Sequence, residues 1–259
     1  MRFKELADNP NLISGIHNYC DRWCERCSFT ARCAVYAVDE ADRDNDPSSR
    51  DLNNAAFWEK LAMIFEETKE MISEWAEKNG VDLSEAALAG TEELLEQRRE
   101  ETRLHPLAKA AEKYAFDVTE WFDKDSPQVE VISDESPRSR DTETNESDIA
   151  DFAEVILWYQ FFIAVKLKRG LMSRIDEDDY LAEDDQRDSD GSVKVALMGI
   201  DRSISAWRLL CDLRPEKTDS IHWLLVQLEN LRTGMEKEFP NARDFIRPGF
   251  DEPILELLH

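Results

Sequence analysis

The chain is expected to be all-α, a bundle of long helices with an N-terminal cysteine-rich clip that binds a metal or cluster. Three observations predict this. Long segments carry apolar residues at three-and-four spacing, no run alternates convincingly in the manner of a strand, and four of the five cysteines fall between Cys20 and Cys33. The expected division is a module over residues 1–50 and a helical bundle over 51–259, with acidic linkers near 126–147 and 176–191.

In the module, the stretch HNYCDRWCERCSFTARC spaces its cysteines C-x3-C-x2-C-x5-C. Thiolates are the ligands that iron-sulfur clusters and structural zinc both demand. On one continuous helix His17, Cys20, Cys24 and Cys27 share a face, but Cys20 and Cys27 stand roughly 10 Å apart along the axis. One centre does not easily reach both, so the helix must break within DRWCERC if all four cysteines bind together. Ser28 or Thr30 can cap a new helix, which places Cys33 in its first turn, where backbone N–H groups and the helix dipole favour a thiolate. Arg22, Arg26 and Arg32, set against Asp21 and Glu25, make this segment locally basic and able to offset thiolate charge. His17 is a candidate fifth ligand or supporting donor.

A compact run of cysteines favours an iron-sulfur cluster of the 4Fe-4S type, because zinc modules usually join two pairs from separate turns. Zinc is the alternative cofactor, and redox-active thiols the third. The part CERCSFTARC resembles the C-x2-C-x5-C clip of iron-sulfur nucleases related to RecB, over ten residues, without the acidic-and-lysine motif those enzymes carry on strands. CDRWCERC is similar to the C-x3-C-x2-C pattern of radical SAM enzymes, which implies a β/α barrel and an open iron. Here Cys33 offers a fourth ligand that would close that iron. Both resemblances are local to the clip.

After the module, Trp58, Leu61, Phe65, Ile72 and Trp75 follow helical spacing from Asn54 to Asn79, and Gly80 stops that helix. Residues 83–103 form a charged, weaker helical stretch. Pro106 suits the first turn of a helix through Leu107, Ala111, Tyr114, Val118 and Trp121. The Ser-, Pro- and charge-rich residues 126–147 suggest a linker, with VEVI at 129–132 the one short strand candidate. Asp148 to Gly170 is apolar on nearly all sides from Val155 to Val165, which predicts a central helix. Helices at about 192–213 and beyond Pro215, through Ile221, Leu224, Leu228, Leu231 and Met235, complete the bundle, and the tail FIRPGFDEPILELL is expected to fold back as an irregular cover.

Charge narrows the function classes. Asp and Glu total 57 against 32 Lys and Arg, a formal charge of -25, so nucleic acid and anionic membrane surfaces are repelled. No segment approaches the roughly 18 apolar residues of a membrane span, and MRFKELADNP lacks a signal peptide's apolar core. A cytoplasmic protein is expected, with neither nucleic acid nor membrane as partner and with a protein partner left open. Other residues are weaker candidates. Cys211 continues the stripe Ile200, Ile204 and Trp207 as an apolar filler. His222 follows Asp219 by three, and Glu154 sits in the most apolar helix, where a carboxylate needs a reason. Asp188 and Asp190 before Gly191 imitate part of a calcium loop whose first and twelfth ligands are missing. The expected function is iron-sulfur cluster binding for electron transfer, redox sensing or structural stabilisation. The alternatives are a zinc-stabilised interaction module without redox chemistry and an enzyme with its site near Glu154.

Overall fold

The structure, a computed structural model, describes residues 9–43, 51–84, 90–125, 140–177 and 186–252. Among them all regular structure is helical: α1 (Ala34–Arg43), α2 (Ala55–Asn79), α3 (Thr91–Leu104), α4 (Pro106–Asp125), α5 (Arg140–Glu177), α6 (Asp188–Leu213) and α7 (Thr218–Glu238). Short 3-10 turns lie at Ile16–Asn18, Cys24–Arg26, Thr30–Arg32, Pro215–Lys217 and Ala242–Asp244. Among the described residues no helix is long and apolar enough to cross a membrane. The chain forms two compact units, one of described residues up to Glu96 together with Arg247–Glu252, the other Gln97–Ile246.

In the unit Gln97–Ile246, Pro106 opens α4, and its apolar spacing buries Ala108, Ala111, Tyr114, Ala115 and Val118 completely. Helix α5 packs most extensively on α6 and also on α4, while α7 packs on α4 and α6. Gly170 makes the α5–α6 approach possible, because a Cβ there would stand 2.5 Å from Val193 Cγ2 and 3.1 Å from the Ser189 carbonyl oxygen. The core centres on Trp207, which donates its indole N–H to the Tyr114 hydroxyl at 3.0 Å and meets Trp121 edge to face at 5.0 Å. On α7 the expected stripe of Ile221, Leu224, Leu228, Leu231 and Met235 is buried.

Several expectations change here. The helix predicted to be central is an outer one. Its residues Ile156, Tyr159, Ile163 and Leu167 are buried, but Leu157, Trp158, Phe161 and Val165 are exposed, because the helices packed on α5 cover one side of it only. The predicted linker 126–147 is helical from Arg140 onward, and the rest of it, with VEVI, lies outside the described residues. Of the second linker, 178–185 lie outside them. Asp188 to Gly191 form the first turn of α6, which therefore begins four residues before the expected start. Asp188 stands at the positive end of α6, where Arg169 and Ser173 donate to its carboxylate. A string of Asp and Ser that looks like a loop is thus a helix N-terminus.

In the other unit, α2 begins where the Asn54 side chain accepts the Ala56 N–H at 3.0 Å. It ends at Gly80, whose N–H bonds to the Ala76 and Glu77 carbonyls. Both boundaries match the sequence. Its apolar stripe, predicted to pack within the bundle, is instead largely exposed: Trp58, Phe65, Ile72 and Trp75 all face solvent.

Candidate metal centre

The cysteine segment is not one helix. It is a succession of turns whose corners carry the thiols. Asp21 accepts the Trp23 N–H on its carboxylate at 3.2 Å, and the residue between them, Arg22, takes a left-handed conformation with φ 61°. This reversal is the break that the spacing demands between Cys20 and Cys24. Cys24 then starts a single 3-10 turn, closed by the Cys27 N–H on the Cys24 carbonyl at 3.1 Å. A second such turn, Thr30–Arg32, leads into Cys33.

Cys33 is placed differently from expectation. It is extended, at φ -113° and ψ 119°, and its carbonyl accepts the Ala37 N–H at 3.0 Å. It is therefore the residue before α1 and not part of its first turn. The β-branched and aromatic residues of AVYAV still form the helix, but only after the 3-10 turn has used Thr30 and Arg32.

All four cysteines and His17 line one small cavity of about 20 Å³. Its apolar walls are Ile16, Trp23, Phe29, Tyr36 and Phe250. Ile16 and Trp23 are the buried side chains of this segment. Phe250 comes from the far end of the chain. It meets Phe29 edge to face at 5.0 Å, while Arg247 and Asp251 pair across the same turn at 2.8 Å. Gly249, at φ 75°, sits so close to the module that a Cβ would stand 2.7 Å from Ile13 Cδ1. Of the tail, Arg247–Glu252 folds back and its Phe250 lines the cysteine cavity, while 253–258 lie outside the described residues. The dipeptide Pro248-Gly249 signals a turn, but nothing in the sequence says where that turn docks.

Backbone and guanidinium groups fix the frame. The Ile13 N–H bonds to the Arg32 carbonyl at 3.0 Å and Arg32 Nε donates to the Asn11 carbonyl at 3.3 Å, closing the loop that contains the cysteines. Arg26 lies over the Trp23 ring, 3.9 Å from its centroid. At least two of the three arginines expected to offset thiolate charge thus have framing work as well. Arg22 is exposed.

The thiols are all free of disulfides and half-buried. The Phe29 N–H donates to Cys27 Sγ at 3.4 Å, and the Cys20 thiol donates to the His17 carbonyl at 3.5 Å. Burial pushes the Cys24 thiol above its ordinary range, and Cys20, Cys33, Glu25 and Cys27 push it further. Thiolates this close repel one another, so deprotonating the whole set needs a positive centre among them. Among the described residues no three His, Cys, Asp or Glu side chains are grouped as a set that could hold a metal ion. The cysteines share a cavity without being drawn onto one point.

The remaining candidates do not join this site. Glu154 is on the exposed side of α5, so the argument from an apolar surrounding does not apply to it. His222 and Asp219 are exposed on α7. Cys211 is half-buried on α6, its thiol 3.7 Å from Thr218 Oγ1. Asp188 and Asp190 are engaged in the start of α6 and form no calcium loop. The chain matches no family model, no curated protein and no solved structure.

Proposed function

We propose that Cys20, Cys24, Cys27 and Cys33 hold an iron-sulfur cluster of the 4Fe-4S type, and that its first role is to staple the N-terminal module and the C-terminal turn into one folded unit. The observation that carries this is that four cysteines from successive turns line one small, apolar-walled cavity. A cluster takes one thiolate per iron and so needs sulfurs spread around a volume. Zinc needs all four at about 2.3 Å from a single point. The single compact C-x3-C-x2-C-x5-C run, in place of two separate pairs, favours the cluster.

A structural role follows from size. Residues 9–43 with 247–252 bury little apolar surface of their own, and segments of about 40 residues or fewer usually need a metal, disulfides or a partner to fold. When bound, such a cluster also supplies one-electron chemistry, which makes redox sensing or electron transfer to a protein partner available to the same site. His17 and the Phe29 N–H are placed to tune it from outside the ligand set. The strongly acidic surface directs any such partnership away from nucleic acid and anionic membranes.

The test is purification without oxygen from cells supplied with both metals. A brown protein with iron and acid-labile sulfide in equal amounts, bleached by dithionite or oxygen, is the expected result. Stoichiometric zinc with negligible iron would replace the cluster by a colourless structural ion. A module that keeps its fold with neither metal would overturn both.

A further inference from the structure

The clip does not account for α2. Three features of this helix identify what it packs against. The first is its register. Trp58, Leu61, Phe65, Thr68, Ile72 and Trp75 alternate three and four apart without drift, the 3.5-residue period that two helices need to stay in contact along a seam. A helix lying on a globular core tolerates the 3.6 period instead. The second is exposure, because Trp58, Phe65, Ile72 and Trp75 are 50 to 63 % exposed. The Trp58 indole N–H is already bonded to the Leu52 carbonyl at 2.9 Å, so that side chain offers a partner its apolar face.

The third feature is charge. In a chain of formal charge -25, two copies repel unless their contact faces lack acid. The positions flanking the seam are Phe57, Ile64, Met71 and Lys78 on one side and Ala62, Lys69 and Ala76 on the other. None is a carboxylate. The helix's six glutamates, Glu59, Glu66, Glu67, Glu70, Glu74 and Glu77, all fall outside these flanks.

We infer that α2 is a homodimerisation helix, pairing antiparallel with α2 of a second copy. Antiparallel alignment about a two-fold axis between Glu66 and Glu67 sets Phe65 against the second copy's small Thr68, Leu61 against its Ile72, and Trp58 against its Trp75 at the two ends. Parallel alignment stacks Phe65 on Phe65 and leaves Thr68 opposite Thr68, an overfilled layer beside a hole. It also aligns the two helix dipoles unfavourably.

Sedimentation equilibrium of the full chain over a concentration series tests this. The expected mass is twice 30.0 kDa. Phe65→Glu, on the seam, is expected to raise the dissociation constant at least tenfold while far-UV circular dichroism keeps its helical signal. Met63→Glu, on the exposed outer face, is expected to leave the dimer intact. Thr68→Phe is expected to weaken the dimer several-fold by placing Phe against Phe. A monomer at every concentration, a dimer indifferent to Phe65→Glu, or equal dissociation by Met63→Glu would overturn the assignment. Strengthening by Thr68→Phe would overturn the antiparallel arrangement.

Discussion

Trp207 and Trp23 are both buried tryptophans, one in each unit, and their surroundings differ in kind. Trp207 is walled by Trp121, Phe122 and Tyr114 from α4, and its N–H is satisfied by a hydroxyl inside the core. Trp23 lines the same cavity as the four cysteines and carries a stacked guanidinium, in a segment whose backbone is three short turns. The unit Gln97–Ile246 stabilises itself by the area it removes from water, at about 25 cal/mol per Å². The cysteine module has thiols where a core would be. The bundle should therefore respond to cavities and the cysteine module to loss of a ligand.

The largest effect expected is in the bundle. Trp207→Ala should cost ~3–5 kcal/mol, the range for emptying a fully packed aromatic site. Urea unfolding followed by circular dichroism should show the same loss with and without chelator, since none of the four clip cysteines lies in this unit. A loss that depends on chelator would break the comparison.

Next in size is Tyr114. Burial drives its phenol well above the ordinary value, and the hydrogen bond from Trp207 brings it only part of the way back. The unfolded chain therefore releases this proton first. The stabilisation is complete below about pH 10, the unfolded value, and is lost as pH rises from there through the folded one. Tyr114→Phe should remove that alkaline slope and, by leaving the Trp207 N–H unsatisfied, cost ~1–3 kcal/mol at neutral pH. Denaturant midpoints from pH 7 to 11 measure both.

In the module, Gly249→Val should be felt without touching a ligand. A side chain there meets Ile13 and forces a left-handed backbone on a β-branched residue. Iron loss to a chelator is expected to quicken several-fold while the thermal midpoint of the bundle stays put. The smallest effect is Arg22→Gly. It relieves ~1–2 kcal/mol of left-handed strain and gives back ~0.5–1 kcal/mol to the more flexible unfolded chain, so the module should gain about 0–1.5 kcal/mol. A clear loss would show that the Arg22 side chain itself holds the frame.

How far the sequence carries differs between the units for a physical reason. Asn54, Gly80 and Pro106 mark helix ends by local chemistry, and all three act where that chemistry places them. Burial is not local. Leu157, Trp158, Phe161 and Val165 have the composition of a central helix and lie exposed, because which face is covered depends on α4 and α6. Glu154 was conspicuous for the same reason and loses its interest with the correction. At the clip, the break between Cys20 and Cys24 was legible from helix rise alone. The left-handed residue that makes it, the extended Cys33, and the roof formed by Phe250 were not, since the last is set by docking across more than two hundred residues of sequence.

The claim at the centre of this comparison is that a ligand on four thiols holds the cysteine module and that the bundle needs none. Hydrogen–deuterium exchange of Cys24→Ser against the unaltered protein, both purified without oxygen, tests it most directly, since serine keeps the size and is a poor ligand for iron or zinc. The predicted result is loss of amide protection confined to residues 9–43 and 247–252, with 97–246 unchanged. Unchanged protection around the cysteines, or loss that spreads through the helices α4 to α7, would contradict it.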